Sequence, residues 1–397
     1  MTFLAPYTVV DFTDGFALLA GRMLADLGAD VVQVEPPGGA LARTMGPFDA
    51  DGSSLHWEAF AANKRSATID LASAEGRAAA FELCRTADIV FESAPAGSMD
   101  GHGLGYTELA AANPALIYVS ITPFGSSGPK AAWAHSDITL WAAGGALKAH
   151  RDGDRPPLAI SVPQAWLHAS GDAACGALVA LHARSRSGQG QRVEVAVIES
   201  VTQATLSRTL ATAVGDPQGS AMVVDQAQAA AGNVDQSGSG SGSVNTKWRV
   251  SDGWIELHLA MGPATGKFTN NLFAWLRELD CDEGYAEVDW RAIPQLVARG
   301  SMTLEEIARA RETVRQFLAG RTRQEVLDAS VERKLLAVPI DTIADIVENP
   351  HLRERGFFVE VGDDPENLLL LPGVTAPSAQ HGFCSWSRAP RLEGVAV

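Results

Sequence analysis

The chain has 397 residues, 46% of them hydrophobic and 20% charged, which is enough for two or three domains around a substantial core. Its formal net charge of −16 disfavours nucleic acid and anionic lipid as partners of the whole protein. It has no membrane-length apolar run, no signal peptide and no metal-ligand spacing among its four cysteines, so we expect a cytoplasmic protein with reduced cysteines and no metal.

The first third of the chain predicts a repeated strand–helix–strand pattern. Residues 7–12 form the first predicted strand, residues 16–28 a helix that ends at Gly28, and residues 31–34 the next strand. The pattern continues with helices at 73–86 and 106–112 and strands at 88–92 and 116–121. Such units build a parallel sheet, so we predict a Rossmann-like α/β layer. The first crossover lacks the glycine pattern of a dinucleotide site.

Beyond residue 160 the composition changes twice. Residues 164–186 are rich in alanine and carry apolar positions at helical spacing, which predicts a long buried helix before a strand at 192–198. Residues 214–243 are rich in Gly, Ser and Gln, and a hairpin is predicted after them around Asp252-Gly253. The predicted organisation is a large Rossmann-like domain (1–213 and 331–397), a junction (214–243) and a small α+β domain (244–330).

Six segments of the chain, taken in order, carry a family resemblance. They are Met23–Glu35 followed by Arg43, Asn63–Leu71, Ala87–Gly97, Asn113–Ile121, Ala180–Val195 and Asn349–Phe358. Together they resemble family III CoA-transferases, the group that includes formyl-CoA:oxalate and carnitine CoA-transferases. The resemblance implies that coenzyme A, as a substrate, moves between an acyl-CoA and a carboxylic acid. It also implies a large domain built from both chain ends, a small middle domain, and interlocked dimers.

The same resemblance implies which residues lie near coenzyme A. Lys64 and Arg65 would offer a point charge and a planar fork to its phosphates, with surface salt bridges as the alternative. Three further residues belong to the expected binding set: Arg43, Pro95 and Gly97. The run Ser237–Ser243 lies where formyl-CoA transferases have a glycine-rich lid, and a flexible linker is an equal interpretation. Its glycines are Gly238, Gly240 and Gly242.

The resemblance further implies a nucleophilic aspartate at the start of the long helix, but Trp166 stands at that position. The nearest carboxylate on the helix, Asp172, lies about 9 Å further along the axis. We interpret Asp172 as a buried, hydrogen-bonded helix residue and only a weak substitute for the nucleophile. Racemases of the same superfamily use a histidine one residue away from His135, which we interpret as a loop or core residue.

Three functions remain open at this point. The chain is an acyl-CoA:carboxylate CoA-transferase, or a non-catalytic subunit that pairs with an aspartate-bearing paralogue as in the heteromeric benzylsuccinate type, or a catalytically lapsed acyl-CoA-binding protein. The partner is accordingly a second copy in a homodimer or a paralogue in a heterodimer. Trp133, Trp141 and Trp166 near the presumed site suggest a bulky or aromatic acyl group.

Overall fold

The structure, a computed structural model, describes residues 2–149, 162–206, 246–362, 368–373 and 386–392, together with residues 210 and 365. The chain divides into two compact units. The first comprises residues 1–150, 157–206 and 350–397, and the second comprises residues 151–156 and 207–349. The predicted junction, with Gly238, Gly240 and Gly242, lies outside the described residues. The domain boundaries drawn from the sequence therefore stay a prediction.

A six-stranded parallel sheet organises the first unit, which confirms the predicted parallel α/β layer and adds one strand, residues 65–68, that the sequence did not predict. Its strands are β1 (Thr8–Phe12), β2 (Asp30–Glu35), β3 (Arg65–Thr68), β4 (Ile89–Glu92), β5 (Ile117–Thr122) and β6 (Gln191–Ala196). They lie in the order β3-β2-β1-β4-β5-β6, and every neighbouring pair is parallel. This order makes the sheet Rossmann-like. Strands β1 to β3 are added in one direction across the sheet, and β4 to β6 are added on the other side of β1, so the strand order reverses between β1 and β4.

Helices cover both faces of this sheet. They are α1 (Leu19–Asp26), α2 (Leu55–Ala61), α3 (Ala74–Thr86), α4 (Ser98–Gly101), α5 (Tyr106–Ala112), α6 (Asp137–Ala143), α7 (Ala165–Ser187) and α8 (Val197–Ala204). Successive strand residues point to opposite faces, so Val9 packs with α1 and α7, whereas Val10 packs with α3 and α5. Burial on both faces explains why β4 and β5 are almost continuously apolar in sequence.

The long helix α7 confirms the prediction from the alanine-rich segment. Its buried alanines recur every three or four residues, at Ala169, Ala173, Ala177 and Ala180. These small side chains let the helix backbone lie close to the sheet, and a Cβ on Gly176 would lie only 2.9 Å from Cγ1 of Val193. The helix ends at Gly188, whose φ of 71° provides the left-handed cap expected of a glycine there.

The second unit contains an antiparallel sheet and a set of helices. Its elements are β7 (Lys247–Val250), β8 (Gly253–Leu257), α9 (Gly266–Glu278), α10 (Ile293–Ala298), α11 (Leu304–Ala319), α12 (Arg323–Arg333), β9 (Ala337–Ile340) and α13 (Ile343–Glu348). The hairpin predicted around Asp252-Gly253 is confirmed by the pairing of β7 with β8. Residues 337–340, predicted from the sequence to belong to the large domain, form the third strand of this sheet.

The chain then returns to the first unit. This return comprises α14 (Pro350–Glu354), β10 (Phe358–Val361) and β11 (Leu369–Pro372), and the two strands form an antiparallel pair. Residues 386–390 rejoin the first unit's loops, since Ser387 N donates to Asn63 Oδ1 at 2.8 Å. Within the described ranges, no helix combines the length and apolarity needed to cross a membrane.

Two helical glycines provide a matched test of this packing. A Cβ on Gly21 of α1 would lie 2.0 Å from Oδ2 of buried Asp11, whereas one on Gly171 of α7 would meet no described atom within 4 Å. We expect Gly21→Ala to lower the free energy of unfolding by about 1–3 kcal/mol or more through overpacking. Gly171→Ala should leave it unchanged or raise it by up to about 1 kcal/mol. Urea unfolding followed by circular dichroism measures both, and equal effects would contradict the packing.

Candidate functional site

The strand order directs attention to one edge of the parallel sheet. In open parallel sheets of this kind, ligands bind in the crevice outside the carboxyl ends of the strands where the order reverses, which here is between β1 and β4. The turn after β1 continues into a short 3-10 helix, Gly15–Leu18. Asp14 N donates to Ser93 Oγ at 3.3 Å, which links this turn to the loop after β4. This crevice is the candidate site.

A buried ion pair holds the turn after β1 from below. Lys64 Nζ donates to Asp11 Oδ2 at 2.8 Å, to the Leu18 carbonyl at 2.9 Å and to Gln33 Oε1 at 3.0 Å. The other oxygen of Asp11 accepts from the backbone N and the hydroxyl of Thr13 at 2.9 and 2.6 Å. The Lys64 side chain is 0% exposed, so the phosphate contact expected from the sequence has no support in this geometry.

Arg65, the neighbour of Lys64, lies at the opposite edge of the sheet. It begins β3, and its Nε and Nη2 donate to the two oxygens of Asp30, the first residue of β2, at 2.8 and 2.7 Å. Both side chains are exposed. The carboxyl ends of the strands define the crevice, so the structure does not bring Arg65 together with the other predicted residues.

Arg43 does lie at the carboxyl edge, in the loop after β2. Its Nε and Nη2 donate to the carboxylate of Glu35 at 2.6 and 2.8 Å, and its guanidinium lies 3.9 Å from the centre of the Trp57 ring. Burial alone would raise the pKa of Glu35, but the bonds from Arg43, Ser66 and Ala40 hold that pKa below its usual value. Arg43 Nη2 and Trp57 Nε1 both donate to the Pro390 carbonyl, at 2.9 and 3.1 Å.

A polar cavity of about 840 Å³ opens beside Arg43 in the first unit. Two parts of the chain line it. The loop after β2 and the start of α2 contribute Arg43, Asp49, Asp51, Ser53, Ser54, Trp57 and Glu58, and the later part of the chain contributes Gly362 and residues 386–392. The lining contains both arginines and carboxylates, and Arg388 pairs with Glu58 at 2.9 Å. The cavity therefore has no single sign of charge.

Pro95 and Gly97 lie in the loop after β4, on the crevice side. The Pro95 carbonyl accepts from Ser98 N at 2.9 Å, and Gly97 adopts a φ of 80° where α4 begins. Glu92 ends β4 beneath this loop, and its carboxylate accepts from Ala94 N at 2.8 Å and from the Ser120 hydroxyl. Burial raises the pKa of Glu92 in spite of these bonds.

The start of α7 forms the next wall. Trp166 is the second residue of the helix, and Ser170 Oγ donates to the carbonyls of Phe16 and Trp166 at 3.3 and 2.8 Å. The contact with the Phe16 carbonyl joins the first turns of α7 to the turn after β1. The Trp166 ring is half-buried and lies 5.5 Å from the ring of His135, between centres.

Asp172 is exposed, so our interpretation of it as a buried residue is wrong. Six residues separate it from Trp166, which moves it about 9 Å along α7 and about 240° around the axis. It therefore points away from the side of the helix that Trp166 occupies.

Two features of the site were missed from the sequence. Asp137, the first residue of α6, accepts a hydrogen bond from Ala165 N at 2.9 Å, which brings a carboxylate to the start of α7. His56 packs between the rings of Phe16 and Phe60, at 4.7 and 4.6 Å between centres, and its Nε2 lies 3.2 Å from the Gly15 carbonyl. Burial lowers the pKa of His56. Both features join segments that are far apart in the chain.

Metal ligation has no support in the described part of the chain. Nowhere there do three or more His, Cys, Asp or Glu side chains form a group that could hold a metal ion. Three cysteines are described, and all are free thiols. Burial raises the pKa of one of them, Cys84, to about 12, so it is unreactive.

Comparison with known proteins gives a consistent result. The family model described as CoA-transferase family III matches residues 4–394. The succinyl-CoA:(R)-benzylsuccinate CoA-transferase subunit BbsE of Thauera aromatica is 31% identical over 97% of this chain and 90% of its own length. The succinate–glutarate CoA-transferase of Agrobacterium fabrum is 28% identical over 90% of this chain and 84% of its own length.

The fold has a solved counterpart. A CAIB/BAIF family protein from Brucella suis superposes with a TM-score of 0.76 at 28% identity, covering 99% of this chain and 97% of that one. The likeness therefore extends over the whole chain and is not confined to the parallel sheet.

Substitution of the two adjacent basic residues tests the different roles that the structure gives them. Lys64→Met leaves Asp11 charged and unpaired in the interior, so we expect the free energy of unfolding to fall by about 3–5 kcal/mol. Arg65→Met removes an exposed pair and should cost about 1 kcal/mol or less. Chemical denaturation of both variants measures the difference, and an equally mild effect at both positions would contradict the buried network.

Proposed function

Because the chain belongs to CoA-transferase family III, we propose that it moves coenzyme A between an acyl-CoA thioester and a carboxylic acid. The observation that carries the proposal is the match of the family model to residues 4–394, which includes every wall of the crevice. Acyl-CoA and a carboxylic acid are then the small-molecule partners, and coenzyme A is a substrate. A cytoplasmic location is part of the same proposal.

In this proposal the thioester lies in the crevice between the loops after β1 and β4. Arg43, Pro95 and Gly97 of the predicted binding set lie at that edge of the sheet. Backbone N–H groups of the turns there are suited to stabilising the negative charge that develops on a thioester carbonyl oxygen. The contribution of Gly238, Gly240 and Gly242 as a lid stays a prediction.

The reaction needs a carboxylate to receive the acyl group. A mixed anhydride between that carboxylate and the acyl group is close in energy to a thioester, so each step is reversible. Trp166 cannot perform this step, because an indole ring has no carboxylate. The position of Trp166 at the start of α7 is the reason that the proposal needs a test of the chain alone.

The similar proteins suggest which substrates to test first. Succinyl-CoA or succinate appears in the names of the relatives from Thauera aromatica and Agrobacterium fabrum. We therefore propose succinyl-CoA as the donor. The half-buried ring of Trp166 beside His135 supports an acceptor with a bulky or aromatic group, because such a group gains contact area there.

A second candidate is a non-catalytic subunit that pairs with an aspartate-bearing paralogue. Two observations favour it: Trp166 occupies the start of α7, and the relative at 31% identity is named as a subunit. In this form the chain completes an interlocked heterodimer, whereas the first candidate forms a homodimer. A catalytically lapsed acyl-CoA-binding protein is the third form, in which acyl-CoA binds without turnover.

The full chain tests these forms directly. We expect the purified protein to exchange radiolabelled succinate into succinyl-CoA, with ping-pong kinetics that indicate a covalent intermediate. Chromatography of the CoA esters measures the exchange. A chain that is inert alone but active after co-expression with an aspartate-bearing paralogue is the partner subunit. A chain that binds succinyl-CoA in calorimetry without exchange in either preparation is the lapsed form.

The acceptor preference has its own test. Trp166→Ala removes a large apolar contact, so we expect kcat/KM for an aryl-substituted dicarboxylate to fall by about tenfold or more relative to succinate. Trp254→Ala in the second unit is the control, because Trp254 is exposed on a sheet of that unit. Equal losses for both acceptors in Trp166→Ala would show that the ring does not select the acyl group.

A further inference from the structure

We propose that His56 is a positioning residue, which holds the turn after β1 in the orientation that the thioester needs. This inference rests on the proposed CoA-transferase function and deepens it, because that turn forms one side of the crevice. His56 is the second residue of α2 and is only 6% exposed. It contacts two consecutive residues of the turn. Its Nε2 lies 3.2 Å from the Gly15 carbonyl, and its ring meets that of Phe16 edge-on, with 4.7 Å between centres.

The turn Gly15–Leu18 is held at both ends by side chains of other segments. Lys64 Nζ donates to its last carbonyl at 2.9 Å, and His56 Nε2 reaches its first carbonyl. Between them, the hydroxyl of Ser170 lies 3.3 and 3.4 Å from the two middle carbonyls, but its single hydrogen also has the Trp166 carbonyl at 2.8 Å. His56 and Lys64 are therefore the two fixed points of the turn.

The first residue of the turn has the greatest freedom to move. Gly15 adopts a φ of 59°, and a Cβ placed on it would meet no described atom within 4 Å, so side-chain packing does not restrain it there. Glycine changes backbone conformation more easily than other residues. Polar bonds must therefore hold Gly15. Asp14 Oδ1 accepts from its N–H at 2.6 Å, and His56 holds its carbonyl.

The chemical state of His56 suits this role. Burial lowers the pKa of the imidazole, so the ring is mainly neutral at pH 7 and carries one N–H. A carbonyl can only accept, so the hydrogen bond to Gly15 requires that hydrogen at Nε2. The rings of Phe16 and Phe60, at 4.7 and 4.6 Å between centres, enclose the imidazole and keep Nε2 directed at the carbonyl.

A turn held in this way is preorganised for charge development in the crevice. Backbone groups that are already oriented need no reorganisation when negative charge forms on a thioester carbonyl oxygen. A displacement of about 1 Å can lower a rate by about a hundredfold, even when the substituted residue lies away from the reacting atoms. Loss of the His56 bond should therefore lower kcat and leave the affinity for acyl-CoA nearly unchanged.

Two amide substitutions provide a matched test. His56→Gln and His56→Asn both remove the ring, but only glutamine is long enough to place an N–H where Nε2 lies. We expect His56→Asn to lower kcat for exchange of labelled succinate into succinyl-CoA by about 10- to 100-fold. Its KM for succinyl-CoA should change by less than about twofold. His56→Gln should restore kcat to within about threefold of the wild-type value.

The order of the turn is measured separately from activity. Hydrogen–deuterium exchange at the backbone amides of residues 15–19, read by peptide mass spectrometry, should be faster in His56→Asn and near the wild-type rate in His56→Gln. A merely structural role would lower the unfolding midpoint of both variants and leave their kcat values alike. Equal kcat in the two variants therefore overturns the positioning role and leaves the CoA-transferase function standing.

Failure of the proposed function gives a different result. The wild-type protein would then show no exchange, either alone or after co-expression with an aspartate-bearing paralogue. In that case deuterium uptake alone decides the positioning role. Faster uptake confined to His56→Asn supports the hold of His56 on the turn, and equal uptake by both variants overturns it.

Discussion

The candidate site depends on one buried ion pair. Lys64 and Asp11 lie entirely inside the first unit, where an unpaired charge would be very unfavourable, so each requires the other. Through its bonds to the Leu18 carbonyl and to Gln33, the ammonium group also fixes the turn that follows β1. The pair leaves no space for a side chain on Gly21, which is why a glycine is needed in the middle of α1.

The turn after β1, fixed in this way, positions the start of α7. Ser170 reaches across to the Phe16 carbonyl, so a helix that begins about 150 residues later is held against the first loop of the sheet. Asp137 then attaches α6 to the first residue of α7. The wall of the crevice is therefore built from three segments that are distant in sequence and are connected by polar bonds at each step.

Most of the fold could be predicted from the sequence, but the site could be predicted only in part. Apolar periodicity reveals five strands of the parallel sheet and the helices α3, α5 and α7, because helix and strand repeat apolar residues at different intervals. It misses β3, whose sequence Arg-Ser-Ala-Thr is largely polar. It does not reveal whether a charged side chain is buried in the interior or exposed to solvent. Lys64 and Arg65 are adjacent and alike in sequence, yet one is interior and the other exposed at the opposite edge of the sheet. Asp137 was missed because its partner, Ala165, lies 28 residues away.

The bonds to Pro390 have a consequence for how the protein is made. Arg43 and Trp57, near the beginning of the chain, both donate to a carbonyl close to its end. A ribosome synthesises those two residues long before Pro390 emerges. The parallel sheet can assemble during translation, but the loop after β2 reaches its final hydrogen bonding only after Pro390 has been synthesised. A product that ends before Pro390 would therefore retain the sheet, but its loop after β2 would lack these two hydrogen bonds and would be more accessible to cellular proteases.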